Sequence, residues 1–340
     1  MYIYFKKLQS KKLNKKPYKI LITGGTGFLG ESLIQKILME NTPKNNPLVI
    51  DIITRQSSLN AANFFRIPEE KNILINFHKK NINELDSLPS KSYDYVIHAA
   101  SPSSQERFQK KISKIERFKT VAIGTYNLLN LSGRYKFKKF LLFSSGAIYS
   151  NDSKGPQSEN SHHYSRTNDE LSFYSEAKRA SETMTVLFSE INKFKFNIAR
   201  IFAVIGPSMY LKLDSGYIFS QFIKSSYENK PLVIDGNKDS VRSFLDIDDA
   251  TNFFMKLINS DVSSEVFNVG SNEAISLYDL AKKFNLALKK NNQILFSDTK
   301  EKTFLIPDIR KSQQLLNWHP KVNLNESITK IFKIYAKRDQ

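Results

Sequence analysis

Ile22-Thr23-Gly24-Gly25-Thr26-Gly27-Phe28-Leu29-Gly30 is the stretch on which the reading of this chain turns. An apolar run over residues 19–23 leads into it and reads as a strand. Leu29, Leu33, Ile37 and Leu38 follow at helical spacing. Gly25, Gly27 and Gly30 satisfy G-x-G-x-x-G, and Gly24 adds a G-x-x-G-x-x-G reading of the same loop. Glycines are needed at such a place for a tight turn, for backbone approach to a pyrophosphate and for close helix–strand contact. The helix that opens there offers free N–H groups and a favourable dipole to phosphates. Gly24, Gly25, Gly27, Phe28, Leu29 and Gly30 are therefore the expected phosphate cradle of a dinucleotide. The competing reading, a glycine-rich turn without a ligand, fits poorly between a strand and a helix.

Working outward, further apolar runs at residues 48–53, 73–77, 95–99, 140–144 and 197–202 read as strands. Between the fourth and fifth of these six runs, residues 121–131 carry the start of a helical pattern. Strands alternating with helices indicate βαβ units and a parallel sheet. The expected fold is α/β, a Rossmann doubly wound parallel sheet with a smaller C-terminal α/β substrate-binding region. The expected organisation is an N-terminal extension over 1–18, a dinucleotide-binding unit over 19–202, and a substrate-binding region over 203–340 with returns to the sheet.

The bulk composition narrows the chemistry. At 340 residues and 40% hydrophobic the chain can bury a substantial core. The absence of cysteine excludes disulfides, thiolate metal sites and a cysteine nucleophile, and fits a cytoplasmic location. The first 19 residues place a basic run after a short apolar one, the reverse of a secretory signal. No apolar run approaches the roughly 20 residues that span a bilayer, so no membrane span is expected. The net charge of +18 raises the question of nucleic acid, but the lysines are scattered rather than gathered into a stripe. Of the five histidines only His162 and His163 are adjacent, without acidic partners at ligand spacing, so no metal site is expected.

Two further sites bear on chemistry. The second strand ends in Ile52-Ile53-Thr54-Arg55, with Asp51 inside it. An acidic residue at the end of that strand would hold the ribose hydroxyls of NAD, whereas Arg55 can pair with a 2′-phosphate, which leans the cofactor toward NADP. On the competing reading Asp51 holds the ribose and Arg55 only covers the adenine. Tyr174-Ser175-Glu176-Ala177-Lys178 places a phenol and an ammonium on one helical face, where the cation makes the tyrosine a usable proton carrier. Ser145 ends a strand at the carboxyl edge of the sheet, where its hydroxyl can hydrogen-bond a reacting oxygen.

The glycine loop, Ser145, Tyr174 and Lys178 together resemble the extended short-chain dehydrogenase/reductases, in particular the NAD-dependent epimerase/dehydratase family, from residue 19 to about residue 332. The resemblance implies further contacts. Residues 98–103, with Ala99, Ala100 and Ser101, look like the element beside the nicotinamide and the sugar. Asn81, with Ile82 after it, stands where an Asp usually meets adenine. Gly146, beside Ser145, and Arg242 and Asp308 are expected at the nucleotide sugar, with Arg242 on its pyrophosphate. A homodimer formed by the helix near residues 124–131 and the one beginning near Tyr174 is likewise implied.

Dehydratases of the family carry an acid–base pair directly after the serine, where this chain has Gly146 and Ala147. Nucleotide-linked glucuronate decarboxylases also use an acidic residue in that neighbourhood. The segment Ser144-Ser145-Gly146-Ala147-Ile148-Tyr149, together with Leu211, Leu213 and Asp214, is similar to dTDP-4-dehydro-6-deoxyglucose reductases. Reduction of a nucleotide-linked 4-keto-6-deoxyhexose for surface-polysaccharide synthesis is thus the expected function. Two alternatives stand beside it: a nucleotide-sugar 4-epimerase, and a non-catalytic member that binds RNA or protein.

Overall fold

The computed structural model describes residues 16–40, 47–55, 65, 72–102, 113–149, 155–161, 167, 172–207, 217–297 and 301–337. Ser103, His162, His163, Leu211, Leu213, Asp214 and the first 15 residues lie outside the described residues.

The first half runs β1 (Tyr18–Thr23), α1 (Phe28–Met39), β2 (Leu48–Thr54), β3 (Ile73–Lys79), β4 (Ser92–His98), α2 (Lys114–Asn130), β5 (Lys136–Ser145), α3 (Phe173–Asn192) and β6 (Lys195–Ile201). These strands and the strand Glu265–Val269 form one seven-stranded sheet in which every pairing is parallel. From β3 inward the order is β3-β2-β1-β4-β5-β6, with Glu265–Val269 outside β6. The order reverses between β1 and β4, and a doubly wound sheet opens its ligand crevice at the carboxyl ends of the strands beside such a reversal.

Alternation along the strands builds two layers. Ile20 and Ile22 of β1 pack with Leu33, Ile34 and Ile37 of α1 and with Phe253 and Phe254 of α5 (Ile247–Asn259). Leu21 points the other way, into a cluster with Val96, Leu142 and Leu128 and Leu129 of α2. Strands covered on both faces read as nearly continuous apolar runs, which is why β2 is recognisable as Leu-Val-Ile-Asp-Ile-Ile-Thr.

Beyond residue 203 the chain contributes to both parts of the molecule. The helix α5 and the strand Glu265–Val269 belong to the main sheet and its layer. A separate apolar cluster joins α4 (Ile218–Tyr227), α6 (Leu277–Leu288) and α8 (Leu324–Ala336) through Phe219, Phe222, Phe284, Ile328 and Ile331. Between them, α7 (Arg310–Leu316) packs on Glu265–Val269. Trp318 is buried against Phe253, as an anchor of the core.

One element departs from the sequence reading. The helix expected over residues 121–131 begins at Lys114, capped by the Ser113 hydroxyl, which accepts from the Glu116 amide. Its first turns carry Lys114, Glu116, Arg117 and Lys119 around Ile115 and Phe118, which thins their apolar stripe. The Ser-x-x-Glu cap was the available signal.

Candidate active site

The glycine loop lies at the reversal of the sheet, and its glycines are required by contacts. Gly24 has φ +74°, and a Cβ there would come within 2.6 Å of the backbone of Ala99 and Ala100. A Cβ on Gly30 would overlap the Gly24 carbonyl oxygen, and one on Gly25 would meet Ile34 and Ile52 at 2.9 Å. Gly27, exposed, is the N-cap of α1 and no side chain caps that helix. The cradle and the uncapped helix start suit a pyrophosphate. Phe28 and Leu29 are half-buried at the start of that helix, packed against the core rather than standing free.

At β2 the two charged candidates differ in setting. Asp51 is buried and accepts from Asn76 Nδ2 at 3.0 Å, His78 Nε2 at 2.9 Å and Tyr93 Oη at 3.0 Å. Its carboxylate is committed inside the sheet. Arg55 is exposed just past the end of β2. Asn81 caps the turn Ile82–Glu84, its amide oxygen accepting from the Asn83 N–H at 3.2 Å. Ile82 is buried, and a Cβ on Gly124 of α2 would meet its side chain at 2.9 Å. Its carbonyl accepts from Asn127 Nδ2 at 3.2 Å. The Ile82 side chain is thus a seat for α2.

The catalytic candidates come together beside the cradle. Tyr174 and Lys178 occupy the first turns of α3, with Lys178 Nζ 5.8 Å from the centroid of the Tyr174 ring. Ser101 and Ser145 are the hydroxyl side chains that act on the Tyr174 phenol. Ser145 Oγ accepts from the Ala147 N–H at 3.1 Å, which leaves its proton free to donate. Burial raises the Tyr174 pKa, while Ser101, Ser145 and Arg117 oppose that by favouring the phenolate. Lys178, almost wholly buried, donates to the Phe143 carbonyl at 2.6 Å, and burial lowers its pKa to about 8 against the pull of Glu182.

His98 ties these parts together. Its Nδ1 lies 2.6 Å from Thr23 Oγ1 and its Nε2 lies 2.9 Å from Thr125 Oγ1. Thr125 donates its own proton to the Val121 carbonyl, so it accepts from Nε2–H, and Thr23 donates to Nδ1. Burial, aided by Lys178, lowers the His98 pKa to about 3, so the ring is neutral and belongs to the scaffold.

Other expected residues have partners of their own. Arg242 is half-buried on a three-stranded sheet, with Nη2 donating to Thr303 Oγ1 at 2.6 Å and Nη1 to the Val241 carbonyl at 2.8 Å. The Asp308 carboxylate is paired with Arg310 at 2.6 Å, which lowers its pKa. The parts of Asp308 that face the core are its amide, donating to the Gln157 carbonyl, and its carbonyl, accepting from Asn268 Nδ2. Gly146 lies under Phe202, whose ring a Cβ would meet at 2.9 Å.

Sequence reasoning passed over three charged residues here. Arg117 is 1% exposed, with its guanidinium carbon 5.0 Å from the Phe173 ring centroid. Glu182 continues the series Tyr174, Lys178, Glu182 at helical spacing and pairs with Arg200 of β6 at 2.9 Å. That spacing was the signal for Glu182. Among the described residues no group of three or more His, Cys, Asp or Glu could hold a metal, and no helix is long and apolar enough to cross a membrane.

Similar proteins carry the same architecture. UDP-glucuronic acid decarboxylase 1 of Xenopus tropicalis is 30% identical over 324 residues, covering 94% of this chain and 72% of its own length. UDP-glucuronic acid decarboxylase 4 of Arabidopsis thaliana is 28% identical over 330 residues, covering 96% and 70%. The crystal structure of UDP-glucuronic acid 4-epimerase from Bacillus cereus, in complex with UDP-glucuronic acid and NAD, superposes with a TM-score of 0.75 at 23% identity. It covers 94% of this chain and 99% of the epimerase. That of UDP-glucose 4-epimerase from Thermotoga maritima, with UDP-glucose, gives 0.76 at 23%, covering 95% and 100%. A family model described as the NAD dependent epimerase/dehydratase family matches residues 20–270, from the first strand of the main sheet to the last. The chain belongs to the NAD dependent epimerase/dehydratase family.

Proposed function

We propose that this protein is a nucleotide-sugar enzyme that oxidises and re-reduces one carbon of its substrate without net redox change, and that 4-epimerisation is the reaction. The observation that carries the reading is the content of the site. Tyr174 stands with Ser145 and Lys178, and the two positions after Ser145 are Gly146 and Ala147, which move no protons. Phe202 packed on Gly146 leaves no room for an acid there. A single proton carrier is what reversible oxidation of a C4 hydroxyl requires, whereas a dehydration needs a second acid–base pair.

The nicotinamide dinucleotide, when bound, supplies the hydride acceptor and donor. Gly24, Gly25, Gly27 and Gly30 would hold its pyrophosphate, and Ala99, Ala100 and Ser101 would flank it. Tyr174 takes the proton from the sugar hydroxyl and returns it. Ser145, fixed by the Ala147 N–H, donates to the same oxygen, and the Lys178 ammonium stabilises the phenolate. Residues 19–202 would carry the cofactor and residues 203–340 most of the sugar nucleotide.

The relatives support redox-neutral chemistry over the net reduction expected from the sequence, since the similar proteins are decarboxylases and 4-epimerases. Decarboxylation of a nucleotide-linked glucuronate is the second reading, favoured by the two decarboxylases matching nearly the whole chain. Incubation with UDP-glucose and with UDP-glucuronate, plus NAD and no reductant, separates the readings by the products. A C4 epimer supports the proposal, and release of carbon dioxide with a pentose nucleotide supports the second reading. Consumption of NAD(P)H by a dTDP-linked 4-keto sugar, with no epimer from either UDP-sugar, refutes both. RNA retardation without any turnover would favour the non-catalytic reading.

Two predictions belong to this reading. Arg242→Ala should weaken nucleotide-sugar binding by about 2–3 kcal/mol, the range for a charge-assisted hydrogen bond to phosphate. Calorimetric titration should show NAD(P) affinity unchanged; equal loss of both ligands removes Arg242 from the sugar-nucleotide site. At the adenosine end, with Asp51 committed inside the sheet, Arg55 is the charged side chain at the close of β2. Arg55→Ala should weaken NADPH more than NADH by about 1–3 kcal/mol. A wild-type preference for NADH would end the NADP reading.

A homodimer is part of the proposal. Ile123 and Tyr126 of α2 and Leu187 and Ile191 of α3 are exposed on two helices packed side by side, a face suited to a second copy. A monomer in sedimentation at micromolar concentration would count against it.

A further inference from the structure

Glu182 has no part in the family resemblance, yet it ties the helix that carries Tyr174 and Lys178 to the strand that ends in Ser145 and to β6 beside it. From α3 it lies one turn beyond Lys178, itself one turn beyond Tyr174. Its Oε1 accepts from Ser144 Oγ at 2.5 Å, on the residue before Ser145 at the end of β5. Both carboxylate oxygens face Arg200 of β6, with Nη2 donating to Oε2 at 2.9 Å and Nε to Oε1 at 3.1 Å. Arg200 Nη1 donates to Tyr149 Oη at 2.8 Å and to the Glu159 carbonyl at 2.9 Å, and Tyr149 Oη donates to Asn268 Oδ1 at 2.7 Å. The Glu182 side chain is 12% exposed and that of Arg200 is 9% exposed. A carboxylate held this firmly, at low exposure, keeps its charge in one place relative to its neighbours.

The neighbour that gains is Lys178. Its ammonium is buried, donates to the Phe143 carbonyl, and faces the Tyr174 ring on its own helix and His98 from β4. His98 is neutral and offers no countercharge. Arg117 of α2 acts on Tyr174 and is itself a cation, and Arg200 of β6 reaches this group through Glu182. Of the charges around Lys178, the carboxylate that favours its protonation is Glu182.

We infer that Glu182 is a positioning residue of the reaction: its carboxylate keeps Lys178 in the ammonium form and, through Ser144, fixes α3 against the strand that carries Ser145. The catalytic part of this inference rests on the proposed role of Lys178. Burial alone drives that ammonium toward the neutral amine, and the carboxylate opposes the drive. Removing the negative charge lowers the pH at which Lys178 loses its proton. Activity that depends on the ammonium then fails from the alkaline side at a lower pH than in the wild type.

The test reads Lys178 directly, so that it does not depend on knowing the substrate. Protein labelled with 13C at lysine Cε is titrated by NMR, and the Lys178 signal is assigned by its loss in Lys178→Met. In Glu182→Gln the midpoint should fall by about one pH unit or more, and in Glu182→Asp it should return toward the wild-type value. A folded Glu182→Gln protein with an unmoved midpoint overturns the inference. Glu182→Gln leaves Arg200 buried without its partner. Should that variant fail to fold, Arg200→Met and Arg200→Met with Glu182→Gln are titrated as a pair, and the midpoint should be lower in the double variant; equal midpoints overturn the inference. The pH–rate profile is measured in parallel. A midpoint that falls while the alkaline limb of the profile stays in place refutes the role of Lys178 in catalysis, and with it the proposed function, but leaves the electrostatic assignment standing.

Discussion

Tyr174→Phe should lower kcat by at least about 10²-fold, the scale of a lost general acid–base, with cofactor binding retained. The substitution removes one oxygen and keeps the ring, which packs with Phe118, Val121 and Ala177 between α2 and α3. Ser101 Oγ keeps its bond to the Pro102 carbonyl and Ser145 Oγ keeps that from the Ala147 N–H, so folding should change little. What disappears is the group through which a proton leaves and returns. Rates measured at saturating sugar nucleotide, with cofactor affinity determined separately, should therefore divide cleanly. Wild-type turnover by Tyr174→Phe would remove this tyrosine from the chemistry and leave the cluster without a proton carrier.

Gly24→Ala should abolish measurable cofactor binding and destabilise the fold. Two independent costs meet there. The backbone at φ +74° disfavours any L side chain by about 1–3 kcal/mol. The new Cβ would also lie 2.6 Å from Ala99 and Ala100, backbone atoms that cannot swing aside as a side-chain tip can. Relief would require β1 and β4 to separate at the edge where the cofactor is expected. Gly27→Ala is the matched control, since its Cβ would meet only the Gly24 carbonyl, at 3.3 Å. Gly155→Ala, with nothing within 4 Å, should be neutral. Thermal denaturation and titration of NAD(P)H fluorescence on the three variants check the ranking. A Gly24→Ala protein that binds cofactor as the Gly27→Ala protein does would mean that the loop can relax away from β4.

The main sheet could be read from sequence because its strands are buried on both faces, so apolar runs such as 48–53 survive without periodicity. The loop after β1 could be read because glycine was needed for steric reasons at consecutive turns of the backbone. Charged residues that fold inward were not legible. Arg117 interrupts the apolar face of α2 and conceals its first turns, while Asp51 sits in a strand where only its neighbours on β3 and β4 explain its burial. Asp308 matched a landmark in sequence, but its carboxylate turns to Arg310, a contact two residues away that no motif encodes. Local pattern identifies elements; which charges neutralise one another is settled by partners far along the chain.

The strand Glu265–Val269 lies against β6, yet the two are separated in sequence by α4, which belongs to another cluster, and by α5. During synthesis, β6 leaves the ribosome well before its outer partner does. Until then Asn197, Ile198, Ala199, Arg200 and Ile201 present an open row of amides and carbonyls, flanked by apolar side chains, to whatever strand comes near. The nascent chain thus passes through a stage in which its cofactor half is nearly assembled but still adhesive along one border. Expression yield should be governed by how quickly that border closes, and elongation pauses between residues 202 and 265 would lengthen the exposure that chaperones must cover.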